Sequence, residues 1–125
     1  MIISIGIDIV EVYRIAETLA RTPRFSERVF SDAERAYCDA KGAAAAQSYA
    51  GRFAAKEAFL KALQTGWRGK ITWHDIEILS SDQGVPSINV SGEAAALFKN
   101  SGATKMHLSI SHTSEHAVAQ VVFEK

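Results

Sequence analysis

The sequence predicts an α+β fold in which an antiparallel sheet packs on a long central helix. Two observations lead to this prediction. Apolar and polar side chains alternate with period 2 near both ends of the chain, and a long helical stretch from about Gln47 to Leu63 lies between them. The chain has 125 residues, the length of one ordinary domain. We therefore expect residues 1–125 to form a single domain.

The first strand is expected at residues 2–10, where isoleucines occupy every second position: Ile3, Ile5, Ile7 and Ile9. This alternation predicts a strand that buries its isoleucine face, with Asp8 on the opposite face. Helical spacing of apolar residues follows from Glu11 to about Ala20, and Pro23 ends it. The chain thus begins with a strand and a short helix.

The second and third helices have recognisable boundaries. Ser31 and Glu34 form a capping-box pattern, which predicts a helix that stops near Gly42. The central helix then runs to Leu63 and is ended by the stretch of residues 64–66. After the central helix, the sequence predicts an extended segment at 71–80, a turn at 82–84 and an edge strand at 85–90. One more helix is expected at 91–100. Two strands follow, at 106–111 and 116–123, joined by a turn at 112–115.

Charge and cysteine content limit the partners and the compartment. Fourteen basic and fourteen acidic residues cancel, so no overall field would attract nucleic acid or an anionic membrane. The single Cys38 cannot form an intramolecular disulfide, which favours a reducing compartment. Apolar stretches are shorter than a membrane-spanning helix, and residues 2–10 lack the pattern of a signal peptide. We therefore expect a cytoplasmic protein.

Two carboxylates stand where packing alone would not favour them. Asp8 lies in the isoleucine-rich strand, and Glu57 lies on an otherwise apolar arc of the central helix, one turn before Lys61. Carboxylate oxygens are preferred ligands of hard divalent cations, and a lysine nearby could hold a phosphate. Local explanations remain open: Asp8 could cap the following helix, and Glu57 could form a surface ion pair with Lys61.

Motifs around these residues resemble the two-part signature of the 4'-phosphopantetheinyl transferases. The first part is the Gly6-Ile7-Asp8 stretch, and the second is Phe53 with Lys56, Glu57, Ala58 and Lys61. The similarity covers nearly the whole chain and is greatest to the short, stand-alone bacterial type. Five further blocks follow in order: Arg14-Ile15, Arg24-Phe25, Gly51-Arg52-Phe53, Asp75-Ile76-Glu77-Ile78 and Ser109-Ile110-Ser111-His112-Thr113. One departure is Gln64-Thr65-Gly66, followed by Trp67, where the family often has Gly-Thr-Gly.

The resemblance implies an enzyme that moves 4'-phosphopantetheine from coenzyme A to a serine of apo acyl carrier protein, in support of fatty acid biosynthesis. Asp8 and Glu57 would ligate Mg²⁺, and Lys61 would bind a phosphate. Glu57, or a water on the metal, would accept the serine proton. His112 and Thr113 would contact coenzyme A; alternatively, residues of this turn bond only locally. A different Mg²⁺-dependent phosphate enzyme and a non-catalytic trimeric binding module are the other interpretations.

The resemblance also implies two macromolecular contacts. The acidic carrier protein would dock on an arginine-bearing surface that has Phe25 as an exposed apolar anchor and is formed by Arg14, Arg24, Phe25 and Arg28. An arginine-rich helix face that is merely solvated is the alternative. Short members of the family are homotrimers with the cofactor in clefts between neighbours. Apolar residues on both faces of the last strand, such as Val118, Val121 and Val122, fit an interface of this kind.

Overall fold

The structure is a computed structural model that describes residues 1–65 and 70–125. Within these ranges, the chain forms five strands and five α-helices, in the order β1 (Ile2–Glu11), α1 (Val12–Arg21), α2 (Phe25–Val29), α3 (Asp32–Asp39), α4 (Ala45–Leu63), β2 (Ile76–Ser80), β3 (Pro86–Val90), α5 (Gly92–Asn100), β4 (Lys105–His112) and β5 (His116–Glu124). Two 3₁₀-helices, Gly42–Ala44 and Trp73–Asp75, precede α4 and β2. The predicted α+β class and the long central helix are both present.

The strands form two antiparallel sheets, where the sequence suggested one. β5 lies between β1 and β4 in a three-stranded sheet, and β2 pairs with β3 in a hairpin. The 19-residue α4 packs against the three-stranded sheet and also contacts β2. Four buried alanines allow this close approach of helix and strands: Ala54, Ala55, Ala58 and Ala62. The main core therefore lies between α4 and the two sheets, and includes Phe59, Ile78 and Phe123.

Local signals predicted some boundaries better than others. Both hydrogen bonds of the Ser31–Glu34 capping box are present, but α3 ends at Asp39 instead of near Gly42. Helix α2 was not predicted, and the expected extended segment at 71–80 begins with a 3₁₀-helix before β2. Gln64 ends α4 in a left-handed conformation with φ of 63°. Gly66 and Trp67, the rest of the predicted helix stop and loop, lie outside the described residues.

The buried face of β1 is the reverse of the one that the isoleucines predicted. Ile5, Ile7 and Ile9 are 54%, 56% and 67% exposed, whereas Ser4 and Gly6 are buried against α4. A Cβ on Gly6 would lie 1.9 Å from the backbone oxygen of Ala58. The strand thus approaches the helix so closely that only its small residues fit between them. Ile5, Ile7 and Ile9 remain on the outer face, whereas Ile3, beside a register shift of the strand, is partly buried against the core. Asp8 shares the Ser4 and Gly6 face, as the alternation required.

Gly6→Ala should destabilise the protein by about 1–3 kcal/mol, because the added methyl group would overlap the α4 backbone. The measurement is the free energy of unfolding in urea. Ser87→Ala, at an exposed position of β3, is the control and should change stability by less than about 0.5 kcal/mol. Equal stability of the wild-type and Gly6→Ala proteins would show that β1 does not lie this close to α4.

Within residues 1–65 and 70–125, no helix has the length and apolar character needed to span a membrane.

Candidate active site

The fold brings the two carboxylates of the sequence motif together with Lys61. Asp8 extends from β1 toward α4, and its side chain is only 17% exposed. The ammonium of Lys61 lies 3.0 Å from Oδ1 of Asp8 and donates a second hydrogen bond to the backbone oxygen of Ile7 at 2.9 Å. Residues 53 positions apart in sequence therefore share one site.

Glu57 is the second carboxylate of this site and is half-buried on α4. Its pKa is raised, first by burial and then by the negative charge of Asp8, while the positive charge of Lys61 opposes the shift. The structure supports neither local explanation. The N-cap of α1 is Glu11, not Asp8, and the ion pair of Lys61 is made with Asp8. The geometry places all three residues in a cluster.

This cluster has the chemistry of a site for a hard divalent cation. Its donors are carboxylate oxygens, and Mg²⁺ in proteins commonly takes one or two carboxylates together with waters and phosphate oxygens. In the described part of the chain, no group of three or more His, Cys, Asp or Glu side chains could enclose a metal ion. A two-carboxylate site with open positions fits Mg²⁺ shared with a phosphate substrate better than a metal held by protein ligands alone.

A buried ion pair supports α4 one residue before Glu57. The ammonium of Lys56 is fully buried, 2.8 Å from Oε1 of Glu34, and it also donates to the backbone oxygens of Val29 and Trp73. The other carboxylate oxygen of Glu34 accepts from the backbone nitrogen of Ile78. Burial lowers the pKa of Lys56, and the charge of Glu34 opposes this. This pair connects α4 to α2, α3 and β2.

A cavity of about 240 Å³ opens on another side of α4. Its lining includes Tyr37, Lys41, Arg52 and His112. The Arg52 guanidinium lies 3.9 Å from the centre of the Tyr37 ring, and the Lys41 ammonium lies 4.6 Å from it. A hydrogen bond with Ser80 and these two cations lower the pKa of Tyr37. The cavity is thus a cationic, aromatic-walled space that suits an anionic ligand.

Among the described residues, the cavity and the carboxylates do not form one continuous pocket within a single copy of the chain. The lining residue Gly51 precedes Glu57 by six positions on α4, which places the two about 120° apart around the helix axis. Asp8, Glu57 and Lys61 are not among the residues that line the cavity. A ligand that used both features would therefore have to reach around the helix or lie between two copies.

The hairpin residues named by the sequence have different environments. Nδ1 of His112 lies 3.0 Å from Oε1 of Gln47, and the histidine forms part of the cavity wall. The hydroxyl of Thr113 instead accepts hydrogen bonds from the backbone nitrogens of Glu115 and His116. His112 is thus placed to contact a ligand in the cavity. Thr113 instead bonds only within the turn, which was the alternative interpretation of these residues.

The arginine-bearing surface is exposed, but Phe25 is not an exposed anchor. Arg14 pairs with Glu11 at 3.0 Å. Arg24, at the N-cap of α2, and Arg28, within α2, are both exposed. Phe25 is half-buried, with its ring 6.0 Å from that of Phe30 and 6.2 Å from that of Phe53. The prediction of an exposed Phe25 is therefore wrong, because α2 turns this ring toward neighbouring aromatic side chains.

Sequence reasoning missed Tyr37 and Lys41 and gave no role to Arg52. Arg52 did occur in the Gly51-Arg52-Phe53 block, and the Nε of its guanidinium is buried without a hydrogen-bond partner in the described part of the chain. Tyr37 and Lys41 lie four residues apart around the end of α3, a spacing common on any helix. Only the folded chain shows that they face Arg52.

Comparison with known proteins assigns this fold to a known family. Residues 4–121 match the family model of the 4'-phosphopantetheinyl transferase superfamily. The chain belongs to this superfamily, which confirms the family assignment made from the motifs.

Within the superfamily, the chain is similar to holo-[acyl-carrier-protein] synthases. That of Koribacter versatilis is 47% identical over 125 residues, which cover 99% of each protein. The crystal structure of the Neisseria meningitidis synthase matches with a TM-score of 0.86 at 34% identity over 100% of both chains. The Bacillus anthracis synthase, solved in complex with coenzyme A (3',5'-ADP), matches with a TM-score of 0.80 at 42% identity over 99% of this chain and 97% of that one.

Proposed function

We propose that this protein transfers the 4'-phosphopantetheine group of coenzyme A to a serine of apo acyl carrier protein. The products are holo acyl carrier protein, for fatty acid biosynthesis, and adenosine 3',5'-bisphosphate. The observation that carries this proposal is the cluster of Asp8, Glu57 and Lys61 in a chain whose relatives include a synthase solved with coenzyme A. Cytoplasmic location stays a prediction from the single free cysteine.

Asp8 and Glu57 would hold Mg²⁺, which supplies positive charge that stabilises the diphosphate oxygens during the transfer. Lys61 binds a phosphate oxygen as a point charge. The serine oxygen attacks the β-phosphorus, the bond to the oxygen bridging the two phosphates breaks, and adenosine 3',5'-bisphosphate leaves. Glu57, or a water beside it, would accept the serine proton.

The cationic cavity would bind the nucleotide end of coenzyme A. Lys41 and Arg52 provide positive charge, His112 provides a ring nitrogen, and the Tyr37 ring provides an aromatic wall. The guanidinium of Arg52, which donates to the Ser80 hydroxyl at 2.9 Å, gives the cavity a fixed positive charge that attracts a phosphate. These groups therefore suit adenosine carrying an anionic phosphate.

A homotrimer with sites between subunits would explain two features of the isolated chain. Ile5, Ile7 and Ile9 leave an apolar strand face exposed, and an apolar surface of this kind commonly marks an interface between proteins. The cavity and the carboxylates lie on different sides of α4, so one subunit's cavity could serve its neighbour's carboxylates. Analytical ultracentrifugation of the wild-type protein measures the assembly directly.

The acidic carrier protein would dock on Arg14, Arg24 and Arg28, with Phe25 holding α2 in place through its aromatic contacts. Arg14→Glu or Arg24→Glu should raise KM for the carrier protein and flatten its salt dependence, because charge steering is screened over about 10 Å at 0.1 M salt. Coenzyme A affinity should change little. The measurement is the affinity for each substrate across a salt series. Equal weakening of both substrates would place the docking surface elsewhere.

Lys61→Ala should weaken the use of coenzyme A about ten- to a hundredfold, because it removes a charge-assisted contact to phosphate. Carrier-protein affinity should stay close to that of the wild-type protein. Steady-state kinetics with each substrate varied in turn will separate the two effects. A change in thermal stability alone would mean that Lys61 only neutralises Asp8.

The proposed function is tested by mass spectrometry of apo acyl carrier protein after incubation with this enzyme, coenzyme A and Mg²⁺. The expected result is a mass gain of one phosphopantetheine group, with adenosine 3',5'-bisphosphate formed only when carrier protein is present. Cleavage of coenzyme A at the same rate without carrier protein would instead indicate a hydrolase. Binding of coenzyme A without any cleavage would indicate a binding module.

A further inference from the structure

Lys61 already neutralises one of the two carboxylates that would hold the metal. Its ammonium lies 3.0 Å from Oδ1 of Asp8 and 2.9 Å from the backbone oxygen of Ile7. Both acceptors belong to β1, so Lys61 connects the central helix to the strand. A divalent cation bound by Asp8 would need the same carboxylate oxygens.

The two partners of this ion pair differ in their freedom to move. The side chain of Asp8 is 17% exposed and lies between β1 and α4, whereas that of Lys61 is 54% exposed. Lys61 can therefore rotate toward solvent while Asp8 stays in place. If a cation arrives, the lysine is the group that leaves.

The charges of the cluster favour this exchange. Asp8, Glu57 and the Lys61 ammonium carry a formal net charge of −1, and the cluster would carry −2 without the ammonium. Asp8 and Glu57 carry like charges within this cluster and repel each other. A divalent cation and an ammonium attract the same carboxylates and repel each other, so the presence of one weakens the binding of the other.

We propose that Lys61 is the counter-ion of Asp8 in the free protein and that a diphosphate ester draws its ammonium away, so that divalent cation and diphosphate bind cooperatively. The inference rests on the proposed function, which supplies coenzyme A as the diphosphate ester. Lys61 thereby has two successive partners, the Asp8 carboxylate and then a phosphate oxygen. The free protein holds the cation weakly, and the complex holds it well.

Thermodynamic linkage makes this coupling reciprocal. The factor by which coenzyme A increases cation affinity must equal the factor by which the cation increases coenzyme A affinity. Replacing Lys61 by a neutral side chain removes the competitor from the free protein and the phosphate contact from the complex. The variant should therefore bind the cation better alone and gain less from coenzyme A.

The test is a Mn²⁺ titration followed by the electron paramagnetic resonance signal of unbound Mn²⁺, which requires no turnover. Wild-type protein should bind Mn²⁺ at least about tenfold more tightly when saturated with coenzyme A. Free Lys61→Met should bind Mn²⁺ about tenfold more tightly than free wild-type protein, because a neighbouring positive charge is lost. Coenzyme A should then increase the affinity of this variant only a few-fold.

Two variants control for charge and for side-chain volume. Lys61→Arg keeps the positive charge and should bind Mn²⁺ as the wild-type protein does. Lys99→Met removes an equal charge from α5, which carries none of the site residues, and should also leave Mn²⁺ affinity unchanged. A gain in Lys61→Met together with no change in both controls assigns the effect to the contact with Asp8.

If free Lys61→Met bound Mn²⁺ no more tightly than wild-type protein, the inference would be wrong even though the metal site remained. A different result would challenge the proposed function itself. In that case the wild-type protein and Asp8→Asn would bind Mn²⁺ with equal affinity in the presence of coenzyme A. The cation would then lie elsewhere, and the inference would fail with the metal site. The two failures are thus distinguishable in the same titrations.

Discussion

Asp8→Asn and Glu57→Gln should each lower the rate of phosphopantetheine transfer by at least about a hundredfold. Each replacement keeps the shape of the side chain but removes one negative charge from the proposed cation site. The diphosphate charge that develops during transfer would then lose its stabilisation, an effect typically worth two to three orders of magnitude in rate. The measurement is the rate of holo carrier protein formation at saturating coenzyme A with varied Mg²⁺.

Folding of these two variants should be nearly unchanged. The Asp8 ion pair involves a half-exposed lysine, so its loss should alter stability by no more than about 1 kcal/mol. Treatment of the wild-type enzyme with EDTA should reproduce the loss of activity, and added Mg²⁺ should restore it. Full activity of either variant in limiting Mg²⁺ would rule out that residue as a metal ligand.

Lys56→Ala should lower the free energy of unfolding by about 3–5 kcal/mol. The change leaves the Glu34 carboxylate buried without its ion-pair partner and removes the donor to the Val29 and Trp73 backbone oxygens. Total stability of a small domain is only about 5–15 kcal/mol, so a substantial part of the stability of the fold would be lost. Urea unfolding followed by circular dichroism measures the effect.

The matched control is Lys56→Met combined with Glu34→Gln. This pair conserves volume and removes both charges, and the one amide oxygen at position 34 can accept from the Ser31 or the Ile78 backbone nitrogen but not from both. We expect the double variant to recover part of the stability that Lys56→Ala loses, because the unpaired charge is gone while one backbone donor stays unpaired. If the double variant were as unstable as Lys56→Ala, the loss would come from missing hydrogen bonds to the backbone and not from an unpaired charge.

Local sequence signals predicted the elements that are stabilised by contacts between residues close in sequence. The Ser31 and Glu34 side chains cap α3 through contacts only three residues apart, and the sequence pattern suffices to find them. The alternation in β1 likewise predicted the strand and the position of Asp8 on the face opposite the isoleucines. The buried face could not be deduced, because it depends on the close approach of Gly6 to Ala58 on a distant helix.

The candidate site was also predicted only in part. The motif spacing identified Asp8, Glu57 and Lys61, but helical periodicity alone suggested an ion pair between Lys61 and Glu57. The fold instead places Asp8 against the lysine, a contact across 53 positions of sequence. Lys56 carried no sign of burial, since a charged residue on a helix is usually solvated. Its partner Glu34 lies 22 positions away on another helix.

The central claim is that Asp8 and Glu57 bind one divalent cation together with the diphosphate of coenzyme A. A crystal structure of this protein soaked with Mn²⁺ and coenzyme A, with anomalous data collected for manganese, tests it most directly. We predict a single strong anomalous peak at about 2.1–2.3 Å from a carboxylate oxygen of both residues and from a phosphate oxygen. A peak that contacts neither carboxylate, or diphosphate bound by the protein with no manganese beside it, would contradict the claim.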